Sequence, residues 1–146
     1  MRYALLLHYP EMNAEELGPE ALAEGMREFD EYAKALDAAG VLRSAEVLQP
    51  SSVTTTVRGG DTLRIQDGPY ADTKEQLGGT FVIDVDDLDA AIGWAGRAPS
   101  VKWGAVEIRP VGTRFVEGAP PAYVHVRWAS GIGTIPPATT PVLCPL

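Results

Sequence analysis

The feature that most constrains the fold is a strand–helix–strand pattern that occurs twice along the chain. In the first unit, residues 2–8 (RYALLLH) are apolar on both faces of the predicted strand, as in the central strand of a sheet. Gly18-Pro19 then opens a helix, with proline at a first-turn position where its missing N–H costs nothing. Apolar residues recur along this helix as far as Gly40 at spacings of three and four, namely Leu22, Met26, Phe29, Ala33 and Leu36. Strand character resumes over residues 41–48.

The second unit begins with a strong strand pattern over residues 80–85. Asp86 or Asp87 caps the next helix, whose apolar residues lie at i, i+3, i+4 and i+7 (Leu88, Ala91, Ile92 and Ala95). Residues 105–111 alternate as the last strand. Between the two units, alternating apolar residues on both sides of Gly59-Gly60-Asp61 predict a β-hairpin.

The resulting order, β-α-β-β-β-loop-β-α-β, is a split βαβ arrangement with an insertion. We therefore expect an α+β fold of the ferredoxin-like type, with two helices on one face of an antiparallel sheet and an inserted β-hairpin. The other face would expose a large apolar patch, because the first strand is apolar on both sides. Such patches usually mark interfaces, so we expect a homodimer that packs through this sheet face.

The charge of the 146-residue chain, formally −8, is distributed unevenly. From Glu117 onward the chain holds one acidic and one basic residue, so residues 1–115 carry the net charge (11 Lys+Arg minus 19 Asp+Glu). We therefore divide the chain into a domain over residues 1–115 and a proline-rich C-terminal extension over residues 116–146. Proteins that bind nucleic-acid or membrane phosphates need the opposite sign of charge. We expect neither partner.

The sequence lacks the features that would indicate secretion, a metal site or a nucleotide cofactor. The start of the chain has no basic segment followed by an apolar one, which favours a cytoplasmic protein. The single cysteine, Cys144, excludes an intramolecular disulfide and a cysteine-rich zinc site. His8 and His125 lack metal-ligand spacing, and the glycine pairs match no nucleotide-binding fingerprint. We expect no metal and no cofactor.

Turn-forming and ionisable residues are densest over residues 67–79, DGPYADTKEQLGG. Gly68-Pro69 forces a tight turn, in which Asp67 can accept backbone N–H groups. Two acids and an amine follow within one short loop (Asp72, Lys74 and Glu75), a mixture that suits a polar ligand or a proton transfer. The alternative is that these side chains satisfy one another and hold the loop. Gly78-Gly79 lets the backbone approach either a ligand or a packed neighbour.

His8 lies at the end of the first strand, where its side chain can reach the mouth of a pocket. Histidine exchanges protons near neutral pH, although at a strand end it is more often structural. The candidate proton-transfer residues are therefore His8 and Glu75. The candidate ligand-binding residues are Asp67, Tyr70, Asp72 and Lys74, with Lys74 as the contact for an anion.

The same loop carries a family resemblance. DGPYADTKEQLGG, together with the opening RYALLL, AAGVL over residues 38–42 and VEIRPV over residues 106–111, resembles the DGPF-motif branch of the YCII-related family across about residues 1–115. The chain has Tyr70 where phenylalanine is customary and Asp72 where glutamate is customary. The resemblance implies a dimeric ferredoxin-like fold of the dimeric α+β barrel type.

The resemblance also implies two possible functions. Some YCII-like members resemble small-molecule lyases or dehydrochlorinases that use a histidine on the first helix and an aspartate in a turn after the second. This chain has no histidine between Gly18 and Gly40, and that turn reads Ala98-Pro99, so the pair is absent. One possibility is binding of a small polar molecule in a pocket beside the DGPY loop, with weak lyase-like acid–base chemistry. The other is a non-catalytic dimeric regulatory module associated with an extracytoplasmic-function sigma factor. Whether the chain is an enzyme stays open.

Overall fold

The computed structural model describes residues 1–12, 14–114 and 122–123. These fall into two compact units, Met1–Pro110 and Val111–Leu146. In the second unit, the short strands Thr113–Arg114 and Ala122–Tyr123 pair in antiparallel fashion. The remainder of the predicted extension over residues 116–146 lies outside the described residues, as do His125 and Cys144. The candidate site belongs to the first unit.

The first unit contains a sheet, two principal helices and a separate hairpin. Its elements are β1 (Arg2–Tyr9), α1 (Ala14–Leu17), α2 (Pro19–Ala38), β2 (Leu42–Val47), β3 (Thr55–Arg58), β4 (Arg64–Asp67), β5 (Gln76–Asp84), α3 (Leu88–Ala95) and β6 (Ala105–Pro110), with 3-10 turns at Ser51–Val53 and Pro99–Lys102. No helix of the described residues is both long and apolar enough to cross a membrane.

The four-stranded sheet has the order β2-β5-β1-β6, with every neighbouring pair antiparallel. Each principal helix therefore joins two strands that have one other strand between them, which is the split βαβ arrangement. Among the described strands, β3 and β4 pair only with each other, as a two-stranded sheet. The predicted α+β class, with a four-stranded antiparallel sheet, two principal helices and an inserted hairpin, is confirmed.

The core lies between the helices and one face of the sheet. Tyr3, Leu5 and Leu7 of β1 are buried in a cluster that includes Leu36 of α2 and Ala91 of α3. These three β1 residues alternate along the strand, so they all point to the face that the helices cover. Both principal helices therefore lie on the same face of the sheet.

The predicted apolar stripe of α2 is buried only in its C-terminal half. Leu36 is fully buried, whereas Leu22 is 41% exposed and Met26 is 67% exposed. Phe29, midway along the helix, packs on Tyr9, the last residue of β1. The preceding turns of α2 extend past the end of that strand, so their apolar side chains find no sheet to cover.

The helix-free face of the sheet is less apolar than the sequence indicates. Ala4 and Leu6 of β1 and Val82 of β5 form a half-buried apolar strip at its centre. Register places Glu107 opposite Leu6 and Arg109 opposite Ala4, so charged side chains border this strip along β6. The face is thus a narrow apolar strip with a polar margin.

Candidate functional site

The DGPYADTKEQLGG motif is divided among three structural settings. Asp67 ends β4, residues 68–75 form an irregular connection that we call the DGPY loop, and residues 76–79 already belong to β5. The sequence pattern predicts that this strand begins at Thr80. It begins earlier because Gln76 pairs with Tyr9 of β1, and Gly79 pairs with strands on both sides.

The glycine pair of the motif is explained by packed neighbours. A Cβ at Gly78 would lie 2.7 Å from Cε1 of Tyr9 and closer still to Cζ and Oη of the same ring. At Gly79 it would lie 2.9 Å from the carbonyl oxygen of Glu46 in β2. Real side chains do not tolerate such contacts without displacement. Of the two possibilities left open by the sequence, the packed neighbour is the one observed.

An aromatic cluster covers this end of the sheet on its helix face. The ring of Tyr9 lies 6.4 Å from that of Phe29 and 5.7 Å from that of Trp103, centroid to centroid. Phe29 and Trp103 are 6.1 Å apart, so the three rings are in mutual contact. Burial raises the pKa of Tyr9, and the nearby carboxylate of Glu11 raises it further. Tyr9 therefore stays protonated and acts as a packing residue.

His8 lies on the opposite, helix-free face, beside Glu107 of β6. Its Nε2 atom is buried, forms no hydrogen bond with the described residues, and lies 3.6 Å from Oε2 of Glu107. The other carboxylate oxygen of Glu107 accepts a hydrogen bond of 2.5 Å from Nε of Arg109. Arg109 thus holds Glu107 in place while the free oxygen faces the imidazole. A carboxylate so placed can help to orient the imidazole ring.

The carboxylate beside His8 is thus Glu107, and the structure does not bring Glu75 into contact with the imidazole. Within the described part of the chain, the exposed Glu75 side chain forms neither an ion pair nor a hydrogen bond. Sequence reasoning missed Glu107. The alternation of the last strand placed it on the face opposite Val106 and Ile108, but its position beside His8 depends on the register between β6 and β1.

The charged side chains of the DGPY loop do not satisfy one another. Asp72, Lys74 and Glu75 are exposed, and none pairs with another described residue. Neutral groups hold the loop instead. Thr73 Oγ1 donates to the carbonyl of Glu75 at 2.6 Å, and the side-chain amide of Gln76 donates to the carbonyl of Thr73 at 2.9 Å. The predicted ligand-binding charges are therefore available to solvent or to a ligand.

The beginning of the loop folds back on the hairpin. We call residues 55–67, which comprise β3, its turn and β4, the arm. The N–H of Gly68 donates to the carbonyl of Thr54 at 2.7 Å, and Thr56 Oγ1 donates to the carbonyl of Gly68 at 2.7 Å. Gly68 has a φ of 102°, a conformation that favours glycine. Within the described residues, the Asp67 side chain accepts no backbone N–H in this turn.

Tyr70, also predicted to bind a ligand, projects from the loop and is 77% exposed. The guanidinium carbon of Arg58, on the arm, lies 4.9 Å from the centroid of its ring. Arginine readily stacks on aromatic rings in this way. The DGPY loop and the arm are therefore joined by the Thr54, Thr56 and Arg58 contacts into one substructure. Within the described residues, no cluster of three or more histidine, cysteine or acidic residues could hold a metal ion.

Residues 1–114 match the family model of the YCII-related domain. The uncharacterized protein R00369 of Rhizobium meliloti (strain 1021) is 33% identical over 117 residues, which span 76% of this chain and 92% of that protein. A solved structure of 5-chloro-2-hydroxyhydroquinone dehydrochlorinase (TftG) from Burkholderia phenoliruptrix AC1100, in complex with 2,5-dihydroxybenzoquinone, aligns over 76% of this chain and 93% of that chain, with a TM-score of 0.43 and 11% identity. On the strength of the domain match and the Rhizobium relative, and in agreement with the resemblance of its DGPY motif, this chain belongs to the YCII-related family.

Proposed function

We propose that this protein binds a small polar molecule where the end of β1 meets the DGPY loop, and that His8 exchanges a proton with it. The observation that carries the proposal is the Nε2 atom of His8, which is buried and forms no hydrogen bond with the described residues. A buried polar atom without a partner costs free energy, so its retention calls for a reason. A proton-transfer group that waits for an atom of a ligand is such a reason.

Glu107 and Arg109 supply the support that a proton-transfer histidine needs. Oε2 of Glu107 faces Nε2 of His8, and Arg109 holds the other carboxylate oxygen. A ligand hydroxyl that reaches Nε2 of His8 also comes within reach of this carboxylate, which can accept a hydrogen bond from it. The sequence pattern offered Glu75 as a second proton-transfer residue; in this proposal His8 transfers the proton and Glu107 supports it.

The DGPY loop supports ligand binding by its unused charges. It leads directly into Leu77, which pairs with His8 in the sheet. Lys74 is exposed and has no carboxylate partner within the described chain, so it can contact an anionic group. Asp72 can accept hydrogen bonds from hydroxyl or amine groups of the same molecule.

We further propose that a second copy of the chain packs on the helix-free face. Ala4, Leu6 and Val82 are only half-buried on this face, and a second copy seated there would remove the rest of their apolar surface from water. A copy seated there would cover His8 as well, because His8 lies on the same face of β1. The open site would then become a pocket. Sedimentation that shows only a monomer at micromolar concentration would contradict this packing.

The regulatory module associated with a sigma factor is kept as the second candidate function because of the arm. Val57 and Ile65 form a register pair on the face of the arm opposite that of Arg58, and they and the neighbouring Val53 and Leu63 are 56% to 68% exposed. An isolated two-stranded hairpin is marginally stable in water, so a face of this kind suits a protein partner. A protein that only docks through the arm needs no proton-transfer residue.

A thermal-shift screen of small carboxylic acids and phenols separates the two functions. We expect at least one compound to raise the melting temperature of the wild type. The shift should shrink in His8→Gln and Glu107→Gln and persist in Glu75→Gln, which removes a charge of the same kind nearby. No shift with any compound would count against small-molecule binding. If Glu75→Gln and Glu107→Gln reduced the ligand-induced rise in melting temperature equally, the specific role of Glu107 would be contradicted.

A further inference from the structure

Most cations among the described side chains are paired with carboxylates, as a chain of net charge −8 allows. The pairs are Arg2 and Arg43 with Asp84, Arg27 with Glu24 and Glu31, Lys34 with Asp30, Lys102 with Glu28 and Arg109 with Glu107. Among the described side chains, four cations lack such a partner. Arg97 packs on the ring of Trp94, and the other three are Arg58, Arg64 and Lys74. Arg58 and Arg64 belong to the arm, and Lys74 belongs to the DGPY loop.

Arg58 and Arg64 lie directly opposite each other in the arm. They form one register pair of the β3–β4 ladder, so their side chains leave the same face with Cβ atoms about 5 Å apart. Like charges in this relation repel and destabilise a hairpin. Acidic residues are abundant in the chain, yet within its described part no carboxylate lies within 4.0 Å of either guanidinium. The two charges remain uncompensated.

The face that carries the two arginines is also the face on which the DGPY loop folds back. Thr56, which lies two positions before Arg58 on the same face, donates its hydroxyl hydrogen to the carbonyl of Gly68. Beyond this bond the ring of Tyr70 meets the Arg58 guanidinium. Gln66, opposite Thr56, presents its amide on the same face. Two guanidinium groups, an amide and an exposed aromatic ring therefore share one small surface.

We propose that this face of the arm, formed by Arg58, Arg64 and Gln66 with Tyr70, binds an oxyanion, either the carboxylate or the phosphate group of a small molecule. A guanidinium presents N–H donors in a fork that matches both groups, and two forks on adjacent strands can share one anion between them. The anion removes the repulsion between Arg58 and Arg64. Stacking on Arg58 holds Tyr70 in place, and the exposed ring offers a flat surface to the organic part of the ligand. The proposal does not depend on proton transfer by His8.

Anion binding can be measured by heteronuclear NMR of the full chain titrated with inorganic phosphate, malonate or benzoate, at constant ionic strength set with chloride. We expect shifts of the amide signals of the arm and of Tyr70. Arg58→Gln and Arg64→Gln should each weaken binding about tenfold or more, because one of two charge-assisted contacts is lost. Arg58→Lys keeps the charge but not the fork, and should weaken binding by a smaller factor. A preference for phosphate or for the carboxylates identifies the group recognised.

Arg64→Gln is the decisive variant, because Arg64 has no hydrogen bond or ion pair with the described residues whose loss could unfold the arm. In the absence of an anion, Arg64→Gln should melt at a higher temperature than the wild type, because the repulsion with Arg58 is gone. Phosphate should then raise the melting temperature of this variant by less than it raises that of the wild type. Arg27→Gln is the matched control, as it removes one exposed arginine from α2, and its anion affinity should stay within about twofold of the wild type.

Absence of arm shifts with all three anions at millimolar concentration would overturn the proposal. Equal losses of anion affinity in Arg64→Gln and Arg27→Gln would also overturn the proposal, because binding would then depend on net charge alone. His8→Gln should leave the affinity for inorganic phosphate unchanged, so failure of the proton-transfer function and failure of this site can be told apart.

Discussion

Replacing Gly78 by alanine tests whether the glycine pair of the motif serves packing. The new Cβ would occupy the position of the Tyr9 ring, with Cε1 only 2.7 Å away. That ring is in contact with both Phe29 and Trp103, so it cannot move aside without loosening the aromatic cluster. We therefore expect Gly78→Ala to lower the free energy of unfolding substantially.

The magnitude follows from the burial of Tyr9. A fully buried tyrosine removes roughly 150–250 Å² from water, so the half-buried ring accounts for about 100 Å², or about 2.5 kcal/mol at 25 cal/mol per Å². Its two ring contacts add about 0.5–1.5 kcal/mol each. A displaced ring keeps part of these contributions, so we expect Gly78→Ala to lower the free energy of unfolding by about 2–4 kcal/mol. For a chain of this size the melting temperature should fall by roughly 6–12 °C.

Urea unfolding of a double-mutant cycle with Tyr9→Ala isolates the contact. Once the ring has been removed, a Cβ at Gly78 meets no Tyr9 side chain, so the further cost of Gly78→Ala should fall below about 1 kcal/mol. The matched control is Gly93→Ala in α3, where a Cβ would meet nothing within 4 Å. It should stabilise the protein by about 0.5–1 kcal/mol, because alanine favours the helix.

Two results would refute the reasoning. If Gly78→Ala costs the same with and without Tyr9, the ring is not what excludes a side chain there. If Gly78→Ala leaves stability unchanged but abolishes ligand binding, the glycine serves the close approach of a ligand, and our structural explanation of the motif is wrong.

Two further predictions concern the helices. Burial raises the pKa of Tyr32 to about 12, an effect that Arg97 partly offsets. Because this pKa exceeds that of the unfolded chain, the stability contributed by neutral Tyr32 is complete below about pH 10 and is lost as the pH rises through about 12. In urea unfolding across this range, Tyr32→Phe should flatten the decline, at a cost near neutral pH of about 0.5–1.5 kcal/mol for the lost hydrogen bond to the carbonyl of Trp94. An unaltered decline would contradict this assignment. Asp87→Ala should cost about 1 kcal/mol, because its carboxylate accepts the N–H of Ala90 at 2.8 Å and caps α3. The control Asp86→Ala should cost less than about 0.5 kcal/mol, and equal costs would argue against the cap.

Much of the fold is predictable because the period of apolar residues is a local property. The stripe that ends at Leu36 and the alternation around the arm depend only on neighbours a few positions away. The start of β5 could not be predicted in this way. Gln76–Gly79 reads as a loop, since glycine and polar residues seldom form strands, and pairing with β1 and β2 overrides this preference.

The candidate site likewise contains residues that the sequence pattern indicates and residues that it does not. The motif singled out Tyr70 and Lys74 by composition, whereas Arg58 and Arg64 carry no motif signal and matter only because register sets them face to face. The exposed half of the α2 stripe has a similar cause. Met26 lies on the apolar stripe of α2, but the strand beneath this part of the helix ends at Tyr9, so the Met26 side chain stays exposed.

By itself the sequence determined the order of the strands and the two principal helices of the first unit, the position of the hairpin and membership of the YCII-related family, because each depends on local pattern or on a continuous motif. The tertiary structure alone decided that Glu107 faces His8, that Gly78 lies under the Tyr9 ring and that the loop charges have no partners among the described residues. The physical reason is that alternation sets only the face of the strand on which a side chain lies, so a shift of β6 by two residues would keep Glu107 on the same face but move it about 7 Å away from His8. No local pattern specifies that register, which is set when the helices and strands bury a common core.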